Sequence, residues 1–121
     1  MSFLTGFKNL FAQDTNDITC SAESILNRIN AGEQLTLIDV REASELRGTG
    51  IIPNAIHIPL GQLDSKISTF SAQKEIICYC RSGNRSKTAA NIFQKQNLNA
   101  ISMNGGIMLW QRLSGPTEPW K

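Results

Sequence analysis

Apolar residues along the chain switch repeatedly between helical and strand spacing. Ala22, Ile25, Leu26 and Ile29 recur at helical intervals, and Gly32 stands where such a helix would stop. Residues 35–40 form a short, apolar, β-rich run, which predicts a buried strand. Residues 43–47 have room for one or two helical turns. Ala55-Ile56-His57-Ile58 reads as a short strand bounded by Pro53 and Pro59, neither of which can donate to a ladder. A brief helix or turn follows over 63–70, and 75–80 is the most strand-like run of the chain. Ala89, Ala90 and Phe93 predict a helix over 86–96, then come a strand over 100–103 and a last helix over 106–113. Strands separated by helices require crossovers. The expected class is therefore α/β, with a mostly parallel sheet covered by helices on both faces.

The first residues differ. Phe3, Leu4, Phe7, Leu10 and Phe11 make one stripe of a short helix, and a polar break follows at 14–17. Residues 1–16 are thus expected to be an amphipathic appendage ahead of a domain spanning 17–121. Such a stripe suits packing on its own domain or on a second copy, which leaves monomer and homodimer open. As a membrane-surface anchor it is poorly equipped, because Lys8 is its one basic residue.

At 121 residues the chain has the length of one domain. A net charge of +2 gives no electrostatic footprint for a nucleic-acid binder. No run approaches the ~18 apolar residues of a membrane span, and nothing resembles a signal peptide. Three cysteines cannot all pair. Free thiols persist in reducing surroundings, so a cytoplasmic location is expected.

The candidate chemistry sits in one loop, Cys80-Arg81-Ser82-Gly83-Asn84-Arg85-Ser86. It follows the best strand and precedes a helix, the place where open parallel sheets bind ligands. Gly83 and Asn84 tolerate positive φ, so the backbone can turn its N–H groups inward. Ser86 is expected to cap the following helix. Amides at a helix start form an anion site, and Arg81 and Arg85 add two permanent charges. The first anion such a cradle would stabilise is the Cys80 thiolate. A free thiol has a pKa of about 8.5, and this setting can lower it to roughly 3.5–7.5. Cys80 is the expected nucleophile, and the residues from Arg81 to Ser86 the expected substrate cradle. Cys78, within the strand among apolar neighbours, reads as core. Cys20, placed at the start of the first helix, is given no role.

Four blocks carry a resemblance. Leu37-Ile38-Asp39-Val40-Arg41-Glu42, the segment from Gly50 through His57 to Pro59, the Cys80 loop with Tyr79 before it, and Gly105-Gly106 followed by Trp110 occur in order over one domain length. The chain resembles a single-domain rhodanese, a thiosulfate sulfurtransferase-like protein, from about residue 18 to 119. Ile51 stands where the family usually has His, and Asn54 where it has Gly. The resemblance implies a three-layer α/β domain with a parallel sheet of about five short strands. It also implies a sulfur relay: Cys80 takes the outer sulfur of thiosulfate, or of another small sulfur-donor anion, and carries it as a persulfide. Cyanide, a small thiol or a thiol protein then accepts it. No metal or nucleotide cofactor is implied. Asp39 and Arg41 are expected to tie loops together, His57 to be a hydrogen-bonded structural residue and Trp110 to be core.

Two rivals remain. One is a persulfide carrier or docking module fed by a partner protein. The other is a Cys-dependent phosphatase or arsenate reductase. That chemistry needs one more residue between Cys and Arg than the four from Arg81 to Asn84. It also wants an acid for the leaving group, and no Asp or Glu is evident near the loop.

Overall fold

The computed structural model describes residues 18–121. The amphipathic stripe expected over 1–16, and its boundary with the domain, lie outside the described residues. Among the described residues five parallel strands, β1 (Thr19–Cys20), β2 (Thr36–Asp39), β3 (Ile56–His57), β4 (Glu75–Tyr79) and β5 (Asn99–Met103), form one sheet in the order β1-β5-β4-β2-β3. The helices are α1 (Ala22–Asn30), α2 (Ala43–Thr49), α3 (Leu63–Lys66), α4 (Asn84–Lys95) and α5 (Gly106–Arg112). Short helical turns at Leu60–Gln62 and Ile67–Thr69 flank α3. Among the described residues the expected strands and helices are present, with ends shifted by a residue or two. Strand β1 is an addition: Cys20 belongs to this two-residue edge strand rather than to the start of α1.

The pleat of β4 divides the core. Ile76 and Cys78 face one way, against Ala89, Ala90 and Phe93 of α4 and Leu63 of α3. Ile77 and Tyr79 face the other way, against Ala22 and Ile25 of α1 and Ile107 and Trp110 of α5. Both faces of the central strand are therefore dry, which is why its sequence is apolar without alternation. In register, Ile38 of β2, Cys78 of β4 and Ser102 of β5 form one row across the sheet. Among the described residues no helix is long and apolar enough to cross a membrane.

Local chemistry fixes where the helices begin. Ser21 caps α1, its Oγ accepting the Ser24 amide at 3.0 Å. Helix α2 starts with a capping box in which Glu42 and Glu45 each accept the other's backbone N–H. The Arg41–Asp39 ion pair anchors this region at 2.7 Å, with both side chains almost wholly buried. Arg41 also donates to Thr49 Oγ1 and to the Gly50 carbonyl at the far end of α2. His57 Nε2 meets the Arg41 carbonyl at 2.7 Å, so this nitrogen carries the proton. Asp39, Arg41 and His57 thus have the structural roles expected of them. Trp110 is fully buried and donates from its indole to the Pro116 carbonyl. The two departures from the family pattern are accommodated. Ile51 is buried and bridges to Glu118, and Asn54 takes a positive φ of 70°, a conformation Asn tolerates better than most residues.

Candidate functional site

Strand β4 ends at Tyr79, and the next residue, Cys80, lies at the carboxyl edge of the sheet on the α4 face. Its carbonyl accepts the Ile107 amide at 2.9 Å, and that of Arg81 accepts the Met108 amide at 3.2 Å. The loop therefore rests on the start of α5. A side chain at Gly106 would collide with both carbonyls, so glycine is required for this approach.

Gly83 has φ 126° and caps α4. The turn it makes aims backbone donors at the sulfur. Cys80 Sγ accepts the Gly83 amide at 3.1 Å and the Ser86 amide at 3.4 Å, and Ser86 Oγ stands 3.5 Å away. Burial pushes the thiol pKa up, since Cys80 is only 1% exposed. The Ser86 hydroxyl and the amides of Ser86, Gly83 and Ser82 outweigh that effect and bring it below its ordinary value. Hydrogen-bond donors of the loop, rather than its arginines, lead this lowering. Two residues away, burial with no such donors pushes Cys78 up to about 12, and Cys20 is raised to about 11. Cys78 is core, as expected.

Three expectations for the loop need correcting. Helix α4 begins at Asn84, not Ser86, because the positive φ of Gly83 lets the helix start earlier. Asn84 is helical and does not use a positive φ. Ser86 is therefore not the cap; it lies in the first turn, fully buried, with Oγ 3.1 Å from the Gly83 carbonyl. Arg85 carries its expected positive charge, and that charge is paired. Its guanidinium is held by Glu45 of α2 through a bidentate pair at 2.7 and 2.9 Å. Arg81, Ser82 and Asn84 carry exposed side chains at the rim.

Two site residues were missed in the sequence. Glu45 brings a carboxylate to the loop, contrary to the expectation that none lay near. Arg85 holds its pKa down to about 2, which favours the ionised form over the protonated acid a phosphatase needs. Its Oε2 also accepts the Glu42 amide, and that Glu-x-x-Glu capping pattern was its readable signal. Ser102 is fully buried on β5, 2.7 Å from Ser86 Oγ.

A parallel α/β domain with a cysteine in an amide-lined loop at the sheet's carboxyl edge is the architecture the sequence motifs implied. A profile of the rhodanese-like domain matches residues 21–113, and the chain belongs to that family. It is 37% identical over 99 residues to the Bacillus subtilis protein named "Putative sulfurtransferase YtwF", covering 82% of this chain and 92% of that one. It is 30% identical over 92 residues to a protein of Allochromatium vinosum named "Sulfurtransferase", covering 75% and 85% respectively. A crystal structure of a rhodanese-related protein from Thermoplasma volcanium superposes with a TM-score of 0.74 at 32% identity, covering 83% of this chain and 96% of that one.

Proposed function

We propose that the protein is a thiosulfate sulfurtransferase that works through a Cys80 persulfide. Rhodanese-type sulfur transfer follows from the family. The choice of Cys80 rests on one observation: its sulfur, alone among the three cysteines, accepts hydrogen bonds from loop amides, at 3.1 and 3.4 Å. The Cys80 thiolate attacks the outer sulfur of thiosulfate. A sulfur–sulfur bond forms to Cys80, the sulfur–sulfur bond of thiosulfate breaks, and sulfite leaves with the electron pair. An acceptor thiolate or cyanide then attacks the terminal persulfide sulfur and returns Cys80 as thiolate. Both forms of the enzyme carry negative charge on sulfur, which the same preorganised donors stabilise without rearrangement.

Depth supports a slender donor. Cys80 is almost fully buried, so the reacting atom must arrive at a narrow tip, as a terminal sulfane sulfur does. Arg81 at the rim supplies a cation for the sulfonate end of thiosulfate, and Arg85, braced by Glu45, supplies a second. Free thiols at all three cysteines suit a reducing compartment, which favours the cytoplasm.

The test is a sulfur-transfer assay from thiosulfate to cyanide. Sulfite and thiocyanate are expected in equal amounts from the wild type, and neither from Cys80→Ser. Turnover that survives Cys80→Ser overturns the assignment, and absence of turnover with the wild type points to a docking or partner-fed carrier role.

A further inference from the structure

Ser102 is a polar side chain sealed in the interior and remote in sequence from the loop. On β5, Ala100 packs into the α4-side core and Met103 into the α5-side core, so Ser102, in register with Cys78, faces α4. There it lies beneath the first turn of that helix, with its hydroxyl 2.7 Å from Ser86 Oγ.

The Ser86 hydroxyl has a single proton and three acceptors in reach: the Gly83 carbonyl at 3.1 Å, Ser102 Oγ at 2.7 Å and Cys80 Sγ at 3.5 Å. In the short serine pair either oxygen can be the donor. If Ser86 donates to Ser102, the sulfur receives nothing from that hydroxyl. If Ser102 donates, Ser86 keeps its proton for the sulfur, and each bond in the chain polarises the next. We infer that Ser102 is a positioning residue of the site: its hydroxyl donates to Ser86 Oγ and so directs the Ser86 proton onto Cys80 Sγ when that sulfur is negative. With the sulfur protonated, the chain can reverse, the thiol donating to Ser86 Oγ. The chain therefore favours whichever direction the sulfur demands, and without Ser102 the Ser86 proton settles on the Gly83 carbonyl.

The inference rests on Cys80 being the reacting sulfur, but its test needs no sulfur donor, so the two can fail separately. The charged and titratable groups around the sulfur are Cys78 on β4, Arg81 in the loop, and Arg85 of α4 with its partner Glu45 of α2. A substitution at Ser102 alters none of them. Ultraviolet thiolate absorbance is titrated against pH for the wild type, Ser86→Ala, Ser102→Ala, the double variant and Ser102→Thr. Circular dichroism checks the fold of each. Burial pushes Cys20 up to about 11 and Cys78 up to about 12, so the first step is expected to be that of Cys80. Ser102→Ala is expected to raise that midpoint by about half a pH unit, the size of a weakened neutral hydrogen bond. Ser102→Thr, which keeps the hydroxyl, is expected to stay at the wild-type midpoint. On top of Ser86→Ala, Ser102→Ala is expected to add nothing, because the chain is already cut. Equal rises in both backgrounds overturn the inference, as do equal midpoints for the Ala and Thr variants.

Discussion

Glu45 grips Arg85 with both carboxylate oxygens, across 40 positions of sequence, and thereby fastens the start of α2 to the first turn of α4 beside Cys80. The same carboxylate closes the α2 capping box, and buried Arg41 ties Asp39 at the sheet edge to the far end of α2. A chain of ionic and capping contacts thus runs from the sheet edge to the loop, and it sets where the Arg85 charge lies. Arg85→Ala is expected to lower kcat/KM for thiosulfate about ten- to a hundredfold, from a lost charge-assisted contact of ~1.5–3 kcal/mol. Its unfolding free energy should fall by no more than about 1 kcal/mol, because the pair is partly solvated. Parallel assays and urea melts check this, and matching losses of activity and stability would make Arg85 purely structural.

The same pair predicts an acid limb of stability. The Arg85 guanidinium holds Glu45 at about 2, against an ordinary 4.5. A depressed carboxylate stabilises the fold above its unfolded-state value and loses that contribution as pH falls through the folded one. The wild type should therefore weaken between about pH 4.5 and 2, and Glu45→Gln should show a shallower slope across that window. Chemical melts at stepped pH measure both slopes.

The buried Arg41–Asp39 pair behaves differently, because water cannot compensate for its loss. Asp39→Asn or Arg41→Met leaves an unmatched buried charge and is expected to cost about 3–5 kcal/mol. Urea unfolding of the two variants checks this, and a loss under about 1 kcal/mol would show that water reaches the pair.

Cysteine reactivity should separate sharply despite proximity. Cys80 is expected to take up iodoacetamide at neutral pH, while Cys78, at about 12, and Cys20, at about 11, stay protonated and unmodified. Peptide mapping after brief exposure reads this directly, and preferential labelling of Cys78 or Cys20 would contradict it.

What the sequence disclosed follows from how local each signal was. Strand β4, the Cys80 loop and α4 are contiguous, and apolar run, glycine and arginines announce them within a dozen residues. The parallel sheet followed from alternation of strand and helix patterns. Strand β1 escaped because two residues, Thr19 and Cys20, carry no periodicity. Ser86 is not the cap because the positive φ at Gly83 lets α4 start at Asn84, and the sequence leaves open whether Gly83 or Asn84 adopts that conformation. Glu45 and Ser102 acquire their site roles through contacts made by other elements: the Glu-x-x-Glu pattern marks Glu45 as a capping residue but not as the partner of Arg85, and Ser102 looks along the chain like an ordinary strand residue.

The persulfide itself gives the most direct test. Wild-type protein is incubated with thiosulfate, freed of excess reagent and weighed intact by mass spectrometry. A gain of one sulfur atom is expected, reversed by cyanide and absent in Cys80→Ser. An unchanged mass, or the same gain in Cys80→Ser, would contradict sulfur transfer through Cys80.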